Sequence, residues 1–142
     1  MAPDHRRIAI PTGRCHCGAI VYSFRGGVRH SSVCHCTDCR RCAGATGVAW
    51  IAVAADDFAI EQGKPRQYDS SADAQRFFCG TCGTGLWYIN ENALPGLVDI
   101  QTATLDEPED YPPQVHVQMA DAIGWEENLP DLPRFERFPD AG

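Results

Sequence analysis

The chain has 142 residues, 44% of them hydrophobic, with a formal net charge of −7 and a pI near 5.0. That length suits one globular domain, and the acidity argues against a nucleic-acid partner, which needs a basic surface. No run approaches the ~20 apolar residues of a membrane helix.

Residues 1–9 read as a loose N-terminal arm, with a single domain over residues 10–138. The arm carries Asp4, Arg6 and Arg7 and no apolar stretch of the secretory kind, so no signal peptide is expected. Residues 19–24 (AIVYSF) form the first expected strand, ended by the turn pair Gly26-Gly27. A helix of about two turns is expected over residues 36–43, with Gly44 as its stop. Strands follow at residues 48–53 and 58–61, the latter closed by Gly63-Lys64-Pro65. Residues 75–78 run into the last cysteine pair and residues 86–89 leave it. Residues 98–102 and 115–119 complete the set, and residues 129–133 read as a proline-stiffened tail. Short strands separated by turn signals predict a mainly β, antiparallel architecture with at most one or two short helices. Ile20, Trp50, Phe78 and Trp87 are the expected core residues, each within a strong strand signal.

All eight cysteines fall into three clusters: Cys15 and Cys17; Cys34, Cys36, Cys39 and Cys42; Cys79 and Cys82. Each outer cluster is a two-thiolate half-site, whereas tetrahedral zinc takes four ligands. Joining the outer pairs gives one closed site from Cys15, Cys17, Cys79 and Cys82. Gly18, Gly80 and Gly83 suit positive φ angles that turn backbone N–H groups toward the sulfurs. In the centre, Cys36 and Cys39 lie one helical turn apart and Cys34 can swing in from a strand end. Three thiolates leave a fourth zinc position open, as in catalytic sites.

The competing reading closes the second site with Cys42, which makes the protein a zinc-stabilised binding module without catalysis. His16 and His35 read as exposed or hydrogen-bonded residues more readily than as ligands, and Arg40 and Arg41 offset local thiolate charge. Disulfides would need an oxidising compartment, and Cys-x-Cys neighbours are poorly placed to bond each other. The central spacing does not match common ferredoxin runs. Buried free thiols remain the plain alternative. Two zincs per chain in a cytoplasmic protein are the expectation.

Three motifs carry a resemblance: Gly13-x-Cys15-x-Cys17-Gly18, Cys34-His35-Cys36-x-x-Cys39-Arg40-x-x-x-Gly44 and Phe78-Cys79-x-x-Cys82-Gly83-Thr84-x-Leu86. Together with a tail of His116, Trp125 and residues 129–135 (LPDLPRF), the sequence resembles the glutathione-dependent formaldehyde-activating enzyme family. The resemblance implies a twisted all-β fold of the β-tent type with two zincs. It assigns a structural zinc to Cys15, Cys17, Cys79 and Cys82, and a catalytic zinc to Cys34, Cys36 and Cys39, with no ligand role for Cys42. The implied activity is carbon–sulfur lyase-like, acting on adducts of glutathione or another thiol with formaldehyde or a related small aldehyde. The partners expected are therefore a small-molecule thiol or thiol–aldehyde adduct, with no nucleic acid and no membrane. Arg40, Arg41 and Arg76 are the candidates for glutathione's carboxylates.

Overall fold

In a computed structural model, residues 10–139 are described, and the arm expected over residues 1–9 lies outside them. Ten strands are formed: β1 Thr12–Arg14, β2 Val21–Phe24, β3 His30–Cys34, β4 Val48–Ala54, β5 Phe58–Gln62, β6 Arg66–Asp69, β7 Gln75–Phe78, β8 Gly85–Ile89, β9 Leu97–Gln101 and β10 Val115–Val117. The one α-helix among the described residues, α1, is Thr37–Ala43, and short 3-10 segments fill several connections. The protein is thus mainly β, as expected. No helix among the described residues is long and apolar enough to cross a membrane.

A three-stranded sheet has the order β1-β2-β5, and a seven-stranded sheet has the order β10-β3-β4-β9-β8-β7-β6. The pairings are antiparallel except one, because β10 lies parallel to β3. That one edge pairing departs from the otherwise antiparallel pattern, and the reason is topological. Strand β9 is flanked by β4 and β8, so the chain leaving it must travel to the free edge of β3. Arriving there in the same direction as β9 requires a crossover of about a dozen residues, which the segment 102–114 supplies with two 3-10 segments.

The seven-stranded sheet has two apolar faces. Ile51 and Val53 of β4, with Val98 and Ile100 of β9, pack with Ile20, Tyr22, Phe24, Leu86 and Trp87 into the main core. Each such side chain, fully buried, contributes about 1.5–3 kcal/mol. Val48 and Trp50 alternate to the opposite face, where they meet Cys39, with Cys34, Cys36 and Tyr88 packed alongside. Ile20, Trp50 and Trp87 are buried as expected, at 3% exposure each. Phe78 is not. A register shift between Phe77 and Phe78 breaks the alternation there, and the Phe78 side chain, half-buried, lines a cavity instead.

On the second face one row of directly opposed residues crosses five strands. It runs His30, Ala52, Asp99, Tyr88, Arg76 from β3 through β4, β9 and β8 to β7. This row underlies the site described next.

Candidate metal centres

Cys15 follows β1, whose Arg14 grips Asp106 through two hydrogen bonds of 2.8 Å. Cys17 stands two residues on, and the tight turn after β7 carries Cys79 and Cys82. The fold brings all four together, with every Sγ within 4.8 Å of the others. Cys15 Sγ is 3.7 Å from Cys17 Sγ, which is 3.8 Å from Cys79 Sγ. A tetrahedron with metal–sulfur bonds of about 2.3 Å has edges of about 3.8 Å, so this cage fits a four-thiolate metal. Cys15 and Cys79 are buried while Cys17 is exposed.

Backbone N–H groups converge on the sulfurs. Ile20 N–H donates to Cys15 Sγ at 3.3 Å. The N–H groups of Thr81 and Cys82 both donate to Cys79 Sγ, each at 3.4 Å. Gly18 and Gly83 take φ angles of 81° and 82°, the left-handed region that glycine enters without steric cost. Gly80 does not, contrary to expectation. A Cβ there would lie 2.5 Å from Cδ of the exposed Arg66, whose side chain lies close over that glycine. The Thr84 hydroxyl, then the Thr84 and Cys17 backbone N–H groups, bring the Cys82 thiol down to a pKa of about 5. That side chain is ready to bind as thiolate.

The second cluster comes from one short segment. Cys34 ends β3, Cys36 caps α1 with φ −65° and ψ 153°, and Cys39 sits in the helix's first turn. Cys36 Sγ accepts the Cys39 N–H at 3.2 Å, and Gly44 ends the helix at φ 63°. The sulfurs of Cys34, Cys36 and Cys39 lie within 4.8 Å of one another. Cys42 stands outside this set, exposed on the far part of the helix.

Burial raises the Cys39 and Cys34 thiols. Burial opposes the Cys36 thiolate too, but the Cys39 N–H and the adjacent thiols outweigh it and lower that group. The compensating charge is Arg76. Its guanidinium lies 3.9 Å from Cys39 Sγ and 4.8 Å above the Tyr88 ring, with Nε donating to Ser70 at 3.1 Å. Three clustered sulfurs with one guanidinium offsetting their charge fit a metal bound by three thiolates.

Two cavities flank this cluster. The nearer, about 270 Å³, has Cys34, Cys36, Cys39, Trp50, Arg76 and Asp99 in its walls. The other, about 620 Å³, shares Trp50 and Arg76 with it and adds Arg41, Cys42, Arg66 and Phe78. Of the arginines singled out in the sequence, Arg76 reaches the sulfurs and Arg41 the larger cavity. Arg40 instead donates to Thr37 Oγ1 at 3.3 Å. His16 is exposed and its backbone N–H donates to Thr84 Oγ1 at 3.0 Å. His35 is fully buried, with Nε2 2.9 Å from His116 Nδ1. Asp99 and Arg66 escaped the sequence reading. Only the cross-strand register, which joins β9 to Tyr88 and Arg76, puts Asp99 at this cavity.

The description "glutathione-dependent formaldehyde-activating enzyme" matches residues 10–121. A Halomonas elongata protein provisionally named for that activity is 29% identical over 126 residues, covering 81% of this chain and 78% of its own length. Proteins of the same provisional name from Phaeosphaeria nodorum and Aspergillus flavus are 29% and 27% identical, covering 87% and 90% of this chain. The chain spans 58% and 61% of the length of those two fungal relatives. A crystal structure of a Rhodobacter sphaeroides protein superimposes with a TM-score of 0.62 at 23% identity, covering 75% of this chain and 99% of that one. Its likeness is one of fold. The matched residues take in both cysteine cages and the strands that hold them, and the chain belongs to the glutathione-dependent formaldehyde-activating enzyme family.

Proposed function

We propose that this protein is a zinc-dependent, carbon–sulfur lyase-like enzyme of the cytoplasm. Its substrates are adducts of glutathione or another small thiol with formaldehyde or a related aldehyde. The observation that carries the reading is the cavity of about 270 Å³ walled by Cys34, Cys36 and Cys39, a cage one ligand short of closure. Zinc bound there supplies a place where a substrate thiol is held as thiolate. The outer cage of Cys15, Cys17, Cys79 and Cys82 holds the second zinc as a clamp between distant parts of the chain.

The remaining work falls to the chain's own side chains. Arg76 balances negative charge at the sulfurs, while Trp50 and Tyr88 narrow the cavity around the reacting carbon. Arg41 and Arg66, in the walls of the adjoining cavity, offer cations for the carboxylates of a bound glutathione. The position of Cys42 outside the central cage, in the wall of that larger cavity, counts against the closed-site binding module.

The experiment is exchange spectroscopy on glutathione mixed with formaldehyde. Zinc-loaded protein should accelerate interconversion of the free pair and S-hydroxymethylglutathione. Cys36→Ser should not. Equal rates with wild type, with Cys36→Ser and without protein would reject the reading.

A further inference from the structure

Strand β9 carries an ionisable side chain that the fold leaves without a stated task. Asp99 is 9% exposed, and its Oδ1 is buried with no hydrogen-bond partner. A carboxyl kept for architecture is normally bonded or paired when it is buried this deeply. Val98 and Ile100 on either side turn into the main core, so Asp99 faces the cavity that the three central cysteines line. Opposite it on β4 stands Ala52, a fully buried residue with no polar side-chain atom to pair with the carboxyl.

The charged and titratable groups facing that space are His30 and Cys34 from β3, Cys36 at the cap of α1, Asp38 and Cys39 within α1, Tyr88 from β8 and Arg76 from β7. Burial raises the Asp99 carboxyl to a pKa of about 7, against the lowering pull of Arg76. A group with that affinity both accepts and returns a proton near neutrality.

We propose that Asp99 is the proton carrier of the three-cysteine site. The inference rests on the thiol–aldehyde reading above. When a thiol binds as thiolate, its proton moves to the Asp99 carboxylate. The thiolate electron pair then attacks the aldehyde carbon and the carbon–sulfur bond forms. The carbonyl π pair moves onto oxygen, which takes the proton back from Asp99. The product is the hydroxymethyl thioether, and Asp99 is again a carboxylate. In the lyase direction Asp99 removes the hydroxyl proton as the carbon–sulfur bond breaks and its electrons return to sulfur.

Proton bookkeeping on the metal-loaded full chain tests this without turnover. Glutathione, and separately 2-mercaptoethanol, is titrated at pH 7.5 by calorimetry in buffers of differing ionisation enthalpy. Wild type should release well under one proton per bound thiol, and Asp99→Asn a full one. The infrared band of a protonated carboxyl should also grow when thiol binds wild type, a measurement that needs no variant to fold. In turnover, Asp99→Asn should lower kcat by about 100-fold, leave KM nearly unchanged and remove the inflection near pH 7, with Asp99→Glu recovering part of the rate. Equal proton release by wild type and Asp99→Asn, or no carboxyl band, overturns the proposal even where turnover is intact. Proton retention without any turnover upholds it while rejecting the lyase reading. Failure of both thiols to bind rejects the two together.

Discussion

At the scale of single residues, Asp99 and Gly83 each invite a measurement of stability. The Asp99 carboxyl has a pKa of about 7 in the fold, against about 3.9 in an unfolded chain. Its contribution is complete below about pH 4 and is lost as pH rises through 7, because the folded state then binds the extra proton. Asp99→Asn should therefore gain on wild type by about 1.4 kcal/mol per pH unit between pH 5 and 7, with a constant difference above that. Urea titrations at a series of pH values check the slope, and a difference that shrinks with rising pH would contradict it. Gly83 has φ 82° with nothing within 4 Å of an added Cβ. Gly83→Ala should cost about 1–2 kcal/mol from left-handed strain alone, read as a lower urea midpoint with metal content unchanged. The cysteines were legible in the sequence because ligand spacing is local. Asp99 was not. In residues 98–102 (VDIQT) it reads as an ordinary outward position, and nothing local says that β9 is a central strand whose outer face is covered.

Among the elements, the β3–α1 unit is the most informative. It supplies Cys34, Cys36 and Cys39 within a few residues, so the central cage depends little on the rest of the fold. Cys36→Ser should lose one metal per chain and still fold, and Cys42→Ser should keep both. Native mass spectrometry of the two variants decides the matter, and loss of a metal from Cys42→Ser would sink the open-site reading. The helix was legible because Gly44 and the one-turn spacing of Cys36 and Cys39 mark its two ends. Strands β1, β3 and β6 (TGR, HSSVC and RQYD) were not, since none has an apolar run. They become strands through backbone pairing with stronger neighbours, which is a property of the sheet and not of the segment. Strand β10 lies within the strand expected over residues 115–119, and only its parallel direction escaped. Its sequence fits a strand in either direction.

For the whole molecule, the outer cage ties the turn before β2 to the turn between β7 and β8. Metal binding of this kind contributes about 10–16 kcal/mol in small zinc domains, while a domain's net stability is about 5–15 kcal/mol. Cys79→Ser should thus abolish soluble expression, and intact protein should carry two metals per chain by elemental analysis. One metal, or iron, would reject the proposed pair of zinc cages.

The two cages also differ in how far along the chain their ligands lie. Cys17 and Cys79 are 62 residues apart, whereas Cys34 to Cys39 is a single short span. Closing the longer loop in an unfolded chain costs about 2 kcal/mol more, before any strand has formed to help. During synthesis the central ligands emerge together, while the outer set stays incomplete until Cys82 has been added. Assembly therefore has a built-in order. A metal ion met during synthesis would find the central set complete first, and the outer set would close only once the intervening strands had been made.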